Sequence, residues 1–541
     1  MNQIYFSFKN YLYIVVTVCI SIIICNGSVE AEMNNVCNVR VFGATGTGEV
    51  LDTDAIQSAV DQCAKEGGVV FLPAGTYLSG TIFLQSNITL HIAEGATLLG
   101  STDPSDYPDT IASIPSYNDD FFVQSLIYGE KLQNITITGR GTIDGQGEAF
   151  VVTTREHPER YRNRPFIIRI VNSKNILVEN VTMRNSAAWM QHYFGCEDLV
   201  IRGITVFNHA NQNNDMINID GCRNVVITEV LGDTDDDGIT LKSTSGLITE
   251  NVTISNSVIS SHVNAIKMGT ETHGGFRNIT ISNVVIKPSS VEETIYGVHK
   301  GTGGISLMIV DGGILDGVTI SNVLIDGPLV PLYIRLGDRA RKYRPGMDRP
   351  PVGQVRNINI SNVVATNIGD YGASITGIPG HYVENVSLNN IRIYYAGGGT
   401  HEDAERDVPE MEDSYPEGTK FGQLPAYGLY IRHAIGISLN NVEFSYEKTD
   451  ERPALVADNV ENLNVYGFRA KGESNLDGIV RLHNVRDGYL FSSRSLKPVK
   501  SFANISGRDT RQINIFELPA GLYQNTFSAT DDVMRNEIII K

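Results

Sequence analysis

Asn251-Val-Thr-Ile-Ser-Asn256 is followed one period later by Asn278-Ile-Thr-Ile-Ser-Asn283 and preceded one period earlier by Asn224-Val-Val-Ile-Thr-Glu229. In each, apolar residues alternate with polar ones, the mark of a half-buried strand. The phrase recurs at Asn134, Asn175, Asp198, Gly317, Asn357 and Asn385, with weaker copies from Gly436 and Asn462. The steps from Asp198 through Asn224 and Asn251 to Asn278 are 26, 27 and 27 residues, and they widen to 39 and 40 where loops are inserted. Three short strands repeating at that period make one coil of a parallel β-helix, in which each coil buries its apolar residues only against its neighbours. Asn at the turns tolerates left-handed backbone angles and can stack into side-chain amide ladders. A leucine-rich solenoid would need its Leu spacing and a helix in each repeat, and the sequence has neither. The expectation is an all-β chain: a right-handed parallel β-helix over residues 36–495, with a β-rich tail over 496–541 packing on or capping it.

Upstream of the repeats, Asp54 to Lys65 puts Ile56, Ala59, Val60 and Cys63 on one helical face, with Thr53 as N-cap and Gly67-Gly68 ending the helix. A helix here would cover the open end of the solenoid, whose strand edge otherwise invites pairing with another chain. Residues 1–31 carry Lys9, an apolar run from Tyr11 to Cys25 and then Val29-Glu30-Ala31, and read as a secretory signal peptide. A membrane anchor is the alternative, although the run is short for a span; a lipoprotein acylated at Cys25 is another. The expected location is extracellular or periplasmic, with no membrane span in the mature chain. Four Cys remain beyond this leader, without a CxxC pair, so thiolate metal ligation is not expected. Cys196 and Cys222 hold the same place in successive repeats and should stack as buried free thiols. Cys37 and Cys63 could form a disulfide.

The net charge of −18 and pI near 5.1 argue against nucleic acid as a partner. A charged fraction of 19% with 52 glycines in 541 residues suits a turn-rich β protein. Three stretches leave the repeat, residues 147–165, 338–351 and 396–427; such loops project from a solenoid and shape a groove. A monomer is expected.

Two carboxylate clusters stand one strand-turn-strand unit apart: Asp215 before Ile217 and Ile219, and Asp235-Asp236-Asp237 before Ile239 and Leu241. If the units stack, both clusters face one surface. Two carboxyl groups across a groove suit glycoside hydrolysis, one protonated to donate to the leaving oxygen and one ionised to activate water or attack. A run of Asp also forms a plain turn, or a hard-cation site with oxygen ligands.

The chain resembles glycoside hydrolase family 28, the polygalacturonase family, over roughly residues 40 to 470. The resemblance is carried by Phe42-Gly-Ala-Thr-Gly-Thr-Gly48, Leu72-Pro-Ala-Gly-Thr-Tyr77, Gly139-Arg-Gly-Thr-Ile-Asp144-Gly-Gln-Gly147 and the stretch from Ser186 to His192 with the only Trp, Trp189. The family's Asn-Thr-Asp signature falls on Asn213-Asn214-Asp215 and its Gly-Asp-Asp signature on Asp235-Asp236-Asp237. The resemblance implies that Asp236 is the general acid and that Asp215 and Asp237 hold and deprotonate water. It also implies hydrolysis of a pectic poly- or oligosaccharide with inversion and no metal or other cofactor. For inversion the acid and base should stand roughly 6.5–9.5 Å apart.

Two family signatures are absent. Val263-Asn264-Ala265 stands where Gly-His-Gly is expected, and Ser306-Leu307-Met308 where Arg-Ile-Lys is expected. In the family that Arg and Lys grip the sugar carboxylate. The substitutes on offer are Lys267, turned outward between Ile266 and Met268, and Arg335, between Ile334 and Leu336; the basic residues of 339–349 are a further source. Asn264 and His262 are candidates to stand in for the missing His, His262 otherwise being a turn residue. Trp189 is a candidate to stack on a sugar, as readily a core residue, and His192 lies beside it. The rival readings are a polysaccharide lyase on the same solenoid, which would need a basic residue and Ca²⁺, and a non-catalytic carbohydrate-binding solenoid.

Overall fold

The computed structural model describes residues 35–118 and 121–540. The leader read over residues 1–31, with Cys25, lies outside them. Among the described residues no helix is long and apolar enough to cross a membrane.

The chain coils as expected into a right-handed parallel β-helix. On one side Val225, Val252, Ile279, Val318, Ile358 and Val386 stand in a single column, each paired with the same position of the next coil. Two residues on, Ile227, Ile254, Ile281, Ile320, Ile360 and Leu388 form a second column. All are buried, and they merge into one core running the length of the solenoid. Residues 499–540 extend the same ladder: Val499–Ser506 pairs with Asp477–His483, and Ile538–Ile540 with Arg511–Phe516.

The turns are held by the expected amides. Asn224, Asn251 and Asn278 adopt φ of 58°, 56° and 56°, a left-handed conformation costly to most residues. The Asn251 amide donates to the Asn224 side chain at 3.1 Å and accepts from Asn278 at 3.0 Å. A second ladder runs through Asn256, Asn283, Asn322, Asn362, Asn390 and Asn441.

The first coil is covered by a helix at Thr53–Cys63 that buries Ile56, Ala59, Val60 and Cys63. Thr53 is inside it rather than its N-cap. Asp52 holds the cap position, and its carboxylate is turned back onto the amides of Thr45, at 2.6 Å, and Gly46, at 3.0 Å. Thr53 Oγ1 accepts from the Gly80 amide instead. The helix ends at Cys63, short of Lys65, and a Cys37–Cys63 disulfide ties its last residue to the strand Val36–Asn38. Cys196 and Cys222 stay free and buried, the Cys196 amide donating to the Cys222 sulfur at 3.2 Å.

One sheet positions the candidate site. Ile217, Ile239, Ile266, Ile305 and Leu332 pair in register, and so do Ile219, Leu241, Met268, Leu307 and Ile334. Both columns point into the core, which leaves Asn218, Thr240, Lys267, Ser306 and Tyr333 in the outward column between them.

Asn251→Ala removes two ladder bonds and forces a Cβ residue without amide compensation into the left-handed region. We expect a loss of about 2–3 kcal/mol, from a left-handed cost of about 1–2 kcal/mol plus about 1 kcal/mol for hydrogen bonding. Asn251→Gly, which keeps the backbone angle, should lose less than half of that in denaturant titrations; equal losses would show that the turn conformation is not what Asn supplies.

Candidate active site

Asp215 and Asp237 occupy the turns that lead into Ile217–Asp220 and Ile239–Ser243. The turns are joined by the Met216 amide donating to the Asp237 carbonyl at 2.9 Å and the Ile217 amide to the Gly238 carbonyl at 3.1 Å. Stacking therefore brings together carboxyl groups 20 or more residues apart: one oxygen each from Asp215, Asp236 and Asp237 lies within 4.8 Å of the others. That is tighter than the separation expected for an inverting pair.

The three carboxyls differ in their partners. Asp237 binds the Lys267 ammonium at 2.6 Å and accepts from the Asn264 amide at 2.9 Å. Asp215 lies 3.5 Å from the Lys242 ammonium, which is also 3.5 Å from Glu271. Glu271 in turn meets Arg341 at 2.8 Å, and Arg341 and Arg339 converge on the buried Asp311. Among the described residues Asp236 has no such cation; its Oδ1 accepts the Asp237 amide at 2.9 Å. Two like charges 4 Å apart repel by about 4 kcal/mol at an effective dielectric constant near 20, enough to hold a proton in the group. Burial first, and then Asp215 and Asp237, push Asp236 well above the usual carboxylate range. Burial likewise raises Asp215, to about 7, with Lys242 pulling the other way and Asp237 adding to the rise. Burial opposes the charge of Lys267, yet Asp237 and Tyr415 keep it strongly protonated; burial opposes that of Glu271, yet Lys242 and Arg341 keep it ionised. Three carboxylates this close could also gather a cation, but here the Lys242 and Lys267 ammoniums supply the positive charge.

Around this group is a pit of about 160 Å³. The three inserted loops all reach it, with His157 and Tyr161 from 147–165, Arg341 from 338–351 and Tyr415 from 396–427. A segment not singled out in the sequence adds Tyr117, Phe121 and Phe122. The Arg341 guanidinium lies 4.0 Å from the Tyr117 ring centroid and links two of these loops. A larger cavity of about 900 Å³ lies further along the solenoid, lined by Arg432, Asp458 and Arg481, and holds none of the three carboxyls.

Of the other residues expected here, Lys267, Asn264 and Trp189 join the group. Trp189 lines the pit with the Lys242 ammonium 4.5 Å from its ring centroid, and packs against Phe122, Phe166 and His192. The structure does not bring His192, Arg335 or His262 into the pit lining. His192 is buried, bonded to Asp220 at 3.1 Å and stacked on Phe194. Arg335 is outward as expected, but its guanidinium donates to the carbonyls of Gly377, Glu410 and Met411 and so fastens the loop that carries Tyr415. His262 lies behind the carboxylates, bonded to Asp235 at 2.8 Å. Glu271 and Tyr415 were not foreseen. Glu271 follows Lys267 by four residues, beyond the point where the strand register shifts, so parity could not mark it.

A solenoid hydrolase of glycans is the class that this fold and this carboxyl group define. The sequence profile of "Glycosyl hydrolases family 28" matches residues 69–411, and the chain belongs to that family. It is 29% identical over 376 residues to a "Probable polygalacturonase" of Vitis vinifera, covering 66% of this chain and 73% of the relative. It is 26% identical over 308 residues to the "Exo-poly-alpha-D-galacturonosidase" of Dickeya chrysanthemi, covering 47% of this chain and 51% of the relative. Its fold is similar to that of a hyperthermoactive exopolygalacturonase from Thermotoga maritima, with a TM-score of 0.59 at 21% identity over 76% of this chain and 92% of the other. The chain is a polygalacturonase-like glycosidase.

Lys242→Met removes the cation that lowers Asp215. Infrared or NMR titration of the carboxyls should then find Asp215 raised beyond about 7 by a further pH unit or more, the usual worth of an opposite charge. The sign for stability follows. Asp215 holds its proton more tightly folded than unfolded, so its contribution is complete below the ordinary carboxylate value of about 4 and is lost as pH rises through about 7.

Proposed function

We propose that the chain hydrolyses a glycosidic bond at the end of a pectic glycan, with inversion, Asp236 acting as general acid and Asp215 with Asp237 holding the attacking water. The observation that carries the reading is the unequal pairing of the three carboxyls. Asp237 has Lys267 and Asp215 has Lys242, while Asp236 stands without a cation and holds a proton. An acid beside two lysine-paired carboxyls suits protonation of a leaving oxygen and activation of water. Inversion is supported by the family resemblance and by the lysine pairing, which suits carboxylates that orient water; the spacing under 4.8 Å does not add to it. Action at a chain end is supported by the pit, walled by several loops and smaller than the 300–1,000 Å³ usual for sites of drug-sized ligands. The name of the Dickeya chrysanthemi relative points the same way. Work outside the cytoplasm is supported by the Cys37–Cys63 disulfide.

For the substrate carboxylate the reading uses Lys267. Its ammonium has three donors, and Asp237 and Tyr415 take two. Arg335 acts only through the loop it fastens.

Pectic oligosaccharides are the test. Single sugars with a new reducing end are expected, with NMR finding the inverted anomer first. A product absorbing in the ultraviolet would mean a lyase, retention would overturn the stereochemistry, and binding without release would mean a non-catalytic solenoid. Asp236→Asn should lose about 10²–10⁴-fold in kcat, the usual worth of general acid–base catalysis, and less on substrates with good leaving groups. Lys267→Ala should raise KM on a uronate about tenfold more than on its carboxyl-reduced analogue, a difference of about 1.4 kcal/mol. Arg335→Ala should weaken both alike.

A further inference from the structure

Asp235, the first residue of the Asp triplet, has no place in the pit. Its carboxylate accepts three N–H donors: His262 Nδ1 at 2.8 Å, the Ile295 amide at 2.7 Å and the Tyr296 amide at 3.0 Å. His262 is fully buried, and its other nitrogen, Nε2, is 2.8 Å from the Val291 carbonyl. A backbone carbonyl only accepts, so Nε2 carries a hydrogen. A carboxylate already taking two amides also accepts, so Nδ1 carries one too. The ring is therefore an imidazolium paired with Asp235. His209, Asp235 and His262 lie close enough together to bind a cation, but a doubly protonated ring has no lone pair to give one.

The pair grips a loop that reaches the other carboxylate turn. Asp233 binds Ser289 and Ser290 of the same loop, and Val298 and Thr302 donate to the His262 carbonyl. From that loop the Tyr296 hydroxyl donates to Gln212 Oε1 at 2.9 Å, and Arg160 donates to both Tyr296 and Gln212. Gln212 is three residues before Asp215.

We propose that Asp235 and His262 are positioning residues whose imidazolium–carboxylate pair, acting through Tyr296 and Gln212, locks the turns 213–215 and 235–237 in one relative geometry. The proposal rests on the reading that Asp215, Asp236 and Asp237 are the reacting group. The charged or titratable groups facing the ring are Asp235 and Asp233 from the carboxylate turn, and His209, whose ring centroid is 5.0 Å away and whose Nε2 is 3.0 Å from Asp233. Burial opposes the charge of His262, but Asp235 and the Val291 carbonyl outweigh it and raise its proton affinity. The lock is thus complete below the ordinary imidazole value of about 6.5 and is lost as pH rises through the raised value.

Hydrogen exchange on the whole chain tests this without reference to hydrolysis. In the wild type, protection of the Ile295 and Tyr296 amides, corrected for intrinsic rates, should fall as pH rises above the His262 titration. In His262→Gln it should be about tenfold lower at pH 6 and show no such step. On an activated substrate that needs no acid, His262→Gln should lose kcat about tenfold with KM kept. Protection independent of pH in the wild type, or wild-type kcat in the variant, would overturn the proposal. Should the variant not fold, ¹⁵N NMR of the native protein decides: both His262 nitrogens protonated at pH 6 supports the lock, and a singly protonated neutral ring overturns it. Failure of the hydrolysis reading would appear instead as absent product with the exchange step intact.

Discussion

Register between coils is the constraint on which the rest depends. In a parallel ladder side chains alternate faces, so a slip of one residue exchanges core for surface. At the site a slip would turn Ile266 and Met268 outward and drive Lys267 into the core, where an unpaired ammonium costs several kcal/mol. The apolar columns oppose this because they run unbroken from coil to coil. The Asn ladders oppose it at the turns: the Asn251 amide, held at a left-handed angle, meets Asn224 on one side and Asn278 on the other. The carboxyls need this constraint, because Asp215 and Asp237 are neighbours only through stacking.

Holding three carboxyls under a roof of loops then becomes a problem of charge. Burial alone would keep them all protonated and chemically idle. Successive coils supply the answer: Lys242 follows the Asp triplet on its own strand, Lys267 comes from the next coil, and Glu271 and Arg341 continue the alternation of sign along the pit wall to the buried Asp311. The alternation leaves Asp236, which among the described residues no ammonium contacts, well above the usual carboxylate range. Lys242, Glu271 and Arg341 link the carboxyls to the loop 338–351, so the network ties the acidity of the pit to that loop.

The solenoid was legible because its signal is repeated: the Asn phrase, its period and the inward and outward parity fix the columns, and parity correctly turned Lys267 and Arg335 outward. Parity says which way a side chain points and nothing about what it meets. Lys267 met Asp237 because both lie on the repeat. Arg335 met the carbonyls of Glu410 and Met411, about 75 residues away on a loop with no period to read. Tyr117, Phe121 and Tyr415 escaped for the same reason. Thr53 as helix cap was a local rule overridden by Asp52, whose carboxylate is occupied by the preceding loop.

The departures from the family pattern are less scattered in space than in sequence. Asn264, standing where a His is expected, donates to Asp237, while its own carbonyl oxygen accepts from the Ser306 hydroxyl at 2.7 Å. Ser306 is the first residue of the triplet that stands where Arg-Ile-Lys is expected. The two changes are thus links of one hydrogen-bonded chain. An ionised carboxylate only accepts, so Asp237 takes the Asn264 N–H, and the Ser306 hydroxyl, free to turn either way, donates to the amide oxygen left over. A hydroxyl at 306 also leaves room above the sheet for the ammonium of Lys267, which brings to Asp237 the positive charge an amide cannot carry. Asn264 and Lys267 each take one oxygen of Asp237 and Ser306 holds the Asn264 amide in place, so the three residues, on two adjacent coils, form one support for Asp237.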